Sequence, residues 1–164
     1  MDERNHLSRR ALALRFLVAP ALGWAVPARA ETAFSVKVTK DPTCGCCDGW
    51  ISHIRSAGFE VNVSVGAVNP LKARFGIPRD LASCHTAEVG GYVIEGHVPA
   101  EAIRRLLAER PAATGLAVPG MPVGSPGMEV EGMKPEIYEV ILFGPAERKA
   151  FARYRGGELD AVKD

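Results

Sequence analysis

Beyond its first thirty residues, this chain of 164 residues has no apolar run long enough to cross a membrane, no internal repeat and no surplus of basic residues. A bilayer-spanning helix needs about 20 consecutive apolar residues, so no membrane segment is read there. Residues 1 to 30 hold five Arg and two acids; without them 15 basic residues face 17 acidic ones, a net charge of −2. Nucleic-acid binding requires clustered Lys and Arg to neutralise phosphates, and that class of partner is excluded. Cysteine is scarce as well, with four in all, and their placement carries the chemistry.

The first thirty residues read as an export signal. Basic Arg4, Arg9, Arg10 and Arg15 precede the apolar run Phe16 to Val26, and Ala28-Arg29-Ala30 supplies a small-residue cleavage site. The run is too short and wrongly flanked for a spanning helix, so the mature chain is expected to begin near Glu31, in the periplasm. Ser8-Arg9-Arg10-Ala11-Leu12 resembles a twin-arginine signal. Paired arginines also occur in ordinary basic signals, and both routes stay open.

The remainder fits one domain, and a 47% hydrophobic content is enough to bury a core. Phe34 to Thr39 alternates apolar and polar residues, as a strand does. Lys40-Asp41-Pro42-Thr43 breaks it. Cys47, Trp50, Ile51 and Ile54 then recur at helical spacing, and Gly58 closes that helix. Phe59 to Val65 alternates again. A short helix is predicted over Pro70 to Phe75, a hairpin over Ala87–Val89 and Tyr92–Glu95 around Gly90-Gly91, and a helix from Pro99 to Pro111 with Ile103, Leu106 and Leu107 inward. Residues 112 to 136, dense in Gly and Pro, are read as a long irregular loop, and a loop of that length in a compact domain is usually functional or disordered. Ile137 to Phe143 returns to strand, and 144 to 164 is read as a polar, partly frayed tail.

Three cysteines fall within Cys44-Gly45-Cys46-Cys47, on a turn between strand and helix; the fourth stands in Ser83-Cys84-His85-Thr86. Bridges among residues so close would close almost no loop, which argues against a plain disulfide framework. A helix N-terminus lowers thiol pKa values, because free backbone N–H groups and the helix dipole stabilise a thiolate. Thiolates are soft donors suited to Cu(I) and Zn, and spaced thiols also cycle through disulfides. A thioredoxin-type oxidoreductase needs only Cys44 to attack and Cys47 to resolve. Cys46 is then surplus and would compete for the bridge, which favours a metal site of Cys44, Cys46, Cys47 and Cys84 with His85 assisting. A zinc or structural disulfide module ranks last.

His97 is read between a capping or surface histidine and a ligand or supporting residue. Met121 and Met128, in the Gly/Pro loop with little apolar company, are second-rank thioether donors weighed against core packing. Met133 is left as structural. Trp50 is expected beneath the cysteine turn, excluding water from it. His53, about 10 Å along the helix from Cys46, is expected to pack.

Taken together, Cys44-Gly45-Cys46-Cys47 with Trp50, Ser83-Cys84-His85-Thr86-Ala87, Gly96-His97-Val98-Pro99 and Gly120-Met121-Pro122-Val123-Gly124-Ser125-Pro126-Gly127-Met128 resemble the CopG-type family of exported metal-binding proteins. The resemblance spans about residues 34 to 143. It implies an α/β, thioredoxin-like domain over residues 31 to 143, with a central mixed sheet and flanking helices. It also implies a periplasmic copper-binding protein of copper resistance, with Cu(I) at the cysteines, coupling to thiol redox change, and other periplasmic copper-handling proteins as candidate partners. The alternative from another class is a periplasmic thiol-disulfide oxidoreductase using Cys44 and Cys47.

Overall fold

Period-2 alternation turns one side of a strand toward the helices, and the burial of Ser35–Lys40 and Ile137–Phe143 follows it, whereas Tyr92–Glu95 is buried on both sides and Glu60–Val65 on neither. A computed structural model describes residues 34–160; the export segment expected over residues 1 to 30 lies outside the described residues. The elements in order are β1 (Ser35–Lys40), α1 (Cys46–Ser56), β2 (Glu60–Val65), α2 (Val68–Arg74), a short 3-10 turn (Arg79–Leu81), β3 (His85–Val89), β4 (Tyr92–Glu95), α3 (Ala100–Glu109), β5 (Gly115–Ala117), β6 (Ile137–Phe143), β7 (Arg148–Arg155) and β8 (Glu158–Leu159). The eight strands form one mixed sheet in the order β2-β1-β3-β4-β5-β6-β7-β8. β1 runs parallel to β2 and β4 parallel to β5, while every other neighbouring pair is antiparallel.

Successive residues of a strand face opposite sides, and two cores result. Val36, Val38, Ile94, Leu116 and Leu142 join Trp50 and Ile54 of α1 and Ile103 and Leu106 of α3 in the larger one. Val93, Ala117 and Phe143, the alternate residues, meet Ile77 and Leu81 on the other side. Each fully buried aliphatic chain contributes about 1.5–3 kcal/mol of apolar burial, so the α1/α3 face holds most of the stability. The sequence prediction of the buried faces of α1 and α3 matches the structure.

Two expectations change. The segment read as a frayed tail after Phe143 folds instead as β7 and β8, because β7 pairs with β6 along its length and buries Tyr154, stacked on Tyr138. A bulge between Val140 and Ile141 shifts that register. β5 emerges inside the region read as irregular, held between β4 and β6. β2, the most regular alternation in the sequence, lies at the sheet edge with Val63 and Val65 exposed.

Candidate metal centre

β1 ends at Lys40, and the next residues build the turn that presents the cysteines. The Asp41 carboxylate accepts from the Thr43 N–H (2.9 Å) and hydroxyl (2.6 Å), bonds that hold its pKa below the usual carboxylate value. Lys40 Nζ donates to the Cys44 carbonyl (3.1 Å) and pairs with Asp48 at 2.6 Å, tying the turn to the first turn of α1. Gly45 stands at the N-cap without a side-chain cap, leaving the cysteines at the positive end of the helix dipole. Cys44 and Cys47 are joined in a disulfide, Cys47 buried and Cys44 half-buried. In that form neither offers a thiolate. Cys46 Sγ lies 3.5 Å from Cys44 Sγ and 4.0 Å from the thioether of Met121, which is 52% exposed.

The second half of the site comes from the β3–β4 hairpin. Cys84 immediately precedes β3, His85 begins it, and His97 follows β4 beyond Gly96. Gly96 has φ +73°, and a Cβ there would lie 2.6 Å from Ser83 Cβ and 2.7 Å from the Val118 carbonyl, so only glycine lets the two segments close. Cys84 Sγ lies 3.3 Å from His85 Nδ1 and 3.0 Å from His97 Nε2. His97 Nδ1 donates to the Pro126 carbonyl at 2.8 Å. A carbonyl only accepts, so the proton of neutral His97 sits on Nδ1 and the Nε2 lone pair faces the sulfur.

Burial dominates the electrostatics here. It pushes the Cys84 thiol up to about 11, with the neighbouring Cys46 adding to the shift. It drives His85 down to about 3, helped by His97 and Lys72, and lowers His97 against the pull of its Pro126 bond. Both imidazoles are therefore neutral at pH 7 and able to donate a lone pair. His85 Nε2 is buried with no hydrogen-bond partner among the described residues, an arrangement that costs about 1–3 kcal/mol. Trp50 is wholly buried, its ring 4.3 Å from that of His85 and its indole N–H bonded to the Val98 carbonyl at 2.9 Å. It closes the inner side of the site.

The sulfurs of Cys44, Cys46, Cys47 and Cys84 lie within 4.8 Å of one another, and so do the donor atoms of Cys84, His85 and His97. Cys84 belongs to both groups. The structure thus brings together the four cysteines and His85, draws His97 in as fully as His85, and places Met121 at the outer rim. Met128 is half-buried, and its backbone closes a turn with Ser125 and Gly124. His53 accepts the Ala100 N–H at 3.1 Å and so caps α3 from α1, a role its helical spacing did not show. Lys40, Lys72 and Glu95 were missed; only their burial singles them out, and burial of a charge is not visible in sequence.

The Gly/Pro loop crosses over this site. Ser83 Oγ donates to the Gly120 carbonyl at 2.5 Å. Gly127, at φ +86°, lies so close to α1 that a Cβ would sit 2.4 Å from Trp50 N and 2.9 Å from the Cys46 carbonyl. Irregular in backbone, the loop is nonetheless fixed.

Fold and site together define an α/β protein whose cysteine and histidine donors converge closely enough to hold a soft metal ion. A protein family described as "Protein of unknown function, DUF411" matches residues 81–128, which include Cys84, His85, His97 and the loop. Two solved structures described as copper resistance protein CopG, Form 1 and Form 2, are similar at 41% identity and a TM-score of 0.70. Their alignments cover 76% and 74% of this chain and 99% and 98% of those chains. No curated protein matches the chain. The chain belongs to the CopG family of copper resistance proteins.

Proposed function

We propose that this protein is a periplasmic copper-resistance protein that binds Cu(I) through the cysteine–histidine cluster. The observation that carries the reading is the position of Cys84, whose sulfur stands against two neutral imidazole nitrogens on one side and three further sulfurs on the other. Thiolate, thioether and imidazole are donors that Cu(I) accepts, and hard oxygen ligands are absent from both donor groups. With Cys44 and Cys47 reduced, four thiols are available, with His85 and His97 behind them and Met121 at the rim. His97 is oriented for this by Pro126, as ligating histidines are commonly fixed through their other nitrogen.

The Cys44–Cys47 bridge supports coupling to thiol redox change. Closing it from two thiols releases two electrons and two protons, enough to reduce two Cu(II) to two Cu(I). The segment from β1 to α3 also supports a thioredoxin-like core: parallel β1 and β2, antiparallel β3 and β4, and the C-x-x-C pair at the turn from β1 into α1. The same bridge favours the second reading, a thiol-disulfide oxidoreductase in which half-buried Cys44 attacks and buried Cys47 resolves.

Cys46→Ser separates the two. Protein recovered from the periplasm, beginning near Glu31, is reduced and titrated anaerobically with Cu(I) against a competing chelator, and its free thiols are counted. On the copper reading the wild type binds tightly with all four thiols protected from alkylation, and Cys46→Ser loses affinity by about tenfold or more. Weak binding, with disulfide exchange at Cys44 and Cys47 undiminished in the variant, replaces it with the oxidoreductase.

A further inference from the structure

Glu95 is the one buried carboxylate among the described residues, and Lys72 is the one buried residue of α2. They pair with each other: Lys72 Nζ donates to Glu95 Oε1. The same Oε1 accepts the Ser83 N–H at 2.6 Å, Oε2 accepts the Thr86 hydroxyl at 2.7 Å, and Lys72 reaches Thr86 Oγ1 at 3.0 Å. Ser83 precedes Cys84, and Thr86 follows His85. One carboxylate therefore grips the chain on both sides of two adjacent donor residues, from a strand position directly opposite Thr86.

Stability alone does not call for this arrangement. Removing two charges from water costs several kcal/mol per ion, and apolar replacements of a buried pair are often neutral or stabilising. A short helix such as α2 would ordinarily attach through leucine. The bonds instead go to the two residues that flank Cys84-His85, and a fully bonded buried network holds a backbone in one geometry.

We infer that Glu95, neutralised by Lys72, is a positioning residue for the metal site, fixing Ser83 to Thr86 so that Cys84 Sγ stays between His85 Nδ1 and His97 Nε2. The inference rests on the Cu(I) reading above for its consequence and on the geometry alone for its mechanism. Glu95 touches no donor atom; it acts through the backbone that carries them. An amide with its oxygen at the Oε1 position turns its N–H groups toward the Thr86 hydroxyl, and with its nitrogen there it opposes both Lys72 Nζ and the Ser83 N–H; in either orientation buried Lys72 loses its counter-charge while the side-chain volume stays the same.

Glu95→Gln in the full chain tests it with three readings: melting temperature, the alkylation rates of Cys84 and Cys46 in the metal-free protein with the Cys44–Cys47 bridge intact, and Cu(I) affinity of the reduced protein. The expected result is faster alkylation of Cys84 with Cys46 unchanged, and a Cu(I) affinity lower by about tenfold, within the range seen when outer partners of metal ligands are removed. A folded variant that melts lower but keeps both the Cys84 rate and the Cu(I) affinity of the wild type makes Glu95 a structural residue and overturns the inference. If the wild type itself takes up no Cu(I), the copper reading falls, and the alkylation rates still decide the positioning role. Should Glu95→Gln fail to fold, Thr86→Val removes the two bonds that Thr86 makes with Glu95 and Lys72 and is judged by the same rates.

Discussion

The Cys44–Cys47 turn and the Cys84–His85–His97 corner meet at one place and are built in opposite ways. The turn is local: a strand end, an Asp41–Thr43 turn and a helix start set all three of its cysteines within a few residues. The corner is assembled from the start of β3, His97 two residues beyond β4, and a loop some thirty residues further on. The turn sits in its disulfide form, with Cys47 buried and Cys44 and Cys46 half-buried, while the corner sets half-buried Cys84 against two fully buried, neutral imidazoles and holds its thiol high. On the copper reading proposed above, the turn would exchange electrons and the corner would help to hold the ion.

If the two halves share a single ion-binding function, Cys84 is their common member, and Cys84→Ser should break both. Its expected effect is the largest, a fall in Cu(I) affinity on the order of a hundredfold or more, beyond the cost of removing most outer partners. Competition titration of the reduced variant measures it. A loss no larger than that of Cys46→Ser would mean that the corner is not joined to the turn in binding.

Gly127→Ala probes the loop that clamps the two halves together. The methyl would meet Trp50 N and the Cys46 carbonyl, and a non-glycine residue is strained at φ +86°. A destabilisation of about 2 to 3 kcal/mol is expected from strain and overpacking, read from the denaturant midpoint. Gly132→Ala, also at positive φ but with open space around its Cβ, should cost less.

The last comparison is by pH, within the corner of the metal-free protein. His85 is held from near 6.5 down to about 3, so between those values the unfolded chain binds more protons. Stability is then fully present above pH 6.5 and lost as pH falls through that window. Cys84 is raised from near 9 to about 11, so the unfolded chain loses its proton first. Its share is present below pH 9 and lost as pH rises toward 11. A fall in stability across each window is expected from chemical denaturation, and Cys84→Ser should shrink the alkaline one alone, leaving the share of the buried tyrosines Tyr138 and Tyr154.

This contrast also explains what was legible in the sequence. β1, α1 and the cysteine turn are written in local spacing, and so are α3 and β6, where the apolar period is strong. β5 is three residues long, too short to show a period, and is made a strand by β4 and β6. β7 carries Arg, Lys and Phe in no clean alternation, and its identity comes from pairing with β6 across the bulge. At the site, His97 gave little local sign of its place because its approach to Cys84 depends on the β3–β4 register and on Gly96. Lys72 and Glu95 look like ordinary surface charges until the fold buries them.

β5 and β6 are hydrogen-bonded neighbours, with Ala117 opposite Ile141, so the Gly/Pro segment between them is the connection of a hairpin closed at its base. Its near part is pinned at Gly120, Pro126 and Gly127, while Val130 and Met133 at its far turn are exposed. Closure entropy rises only with the logarithm of loop length, about 0.6 kcal/mol for each doubling. The far turn can therefore take added residues at little cost, which makes it an attachment point for a reporter or affinity handle that leaves the sulfur cluster undisturbed.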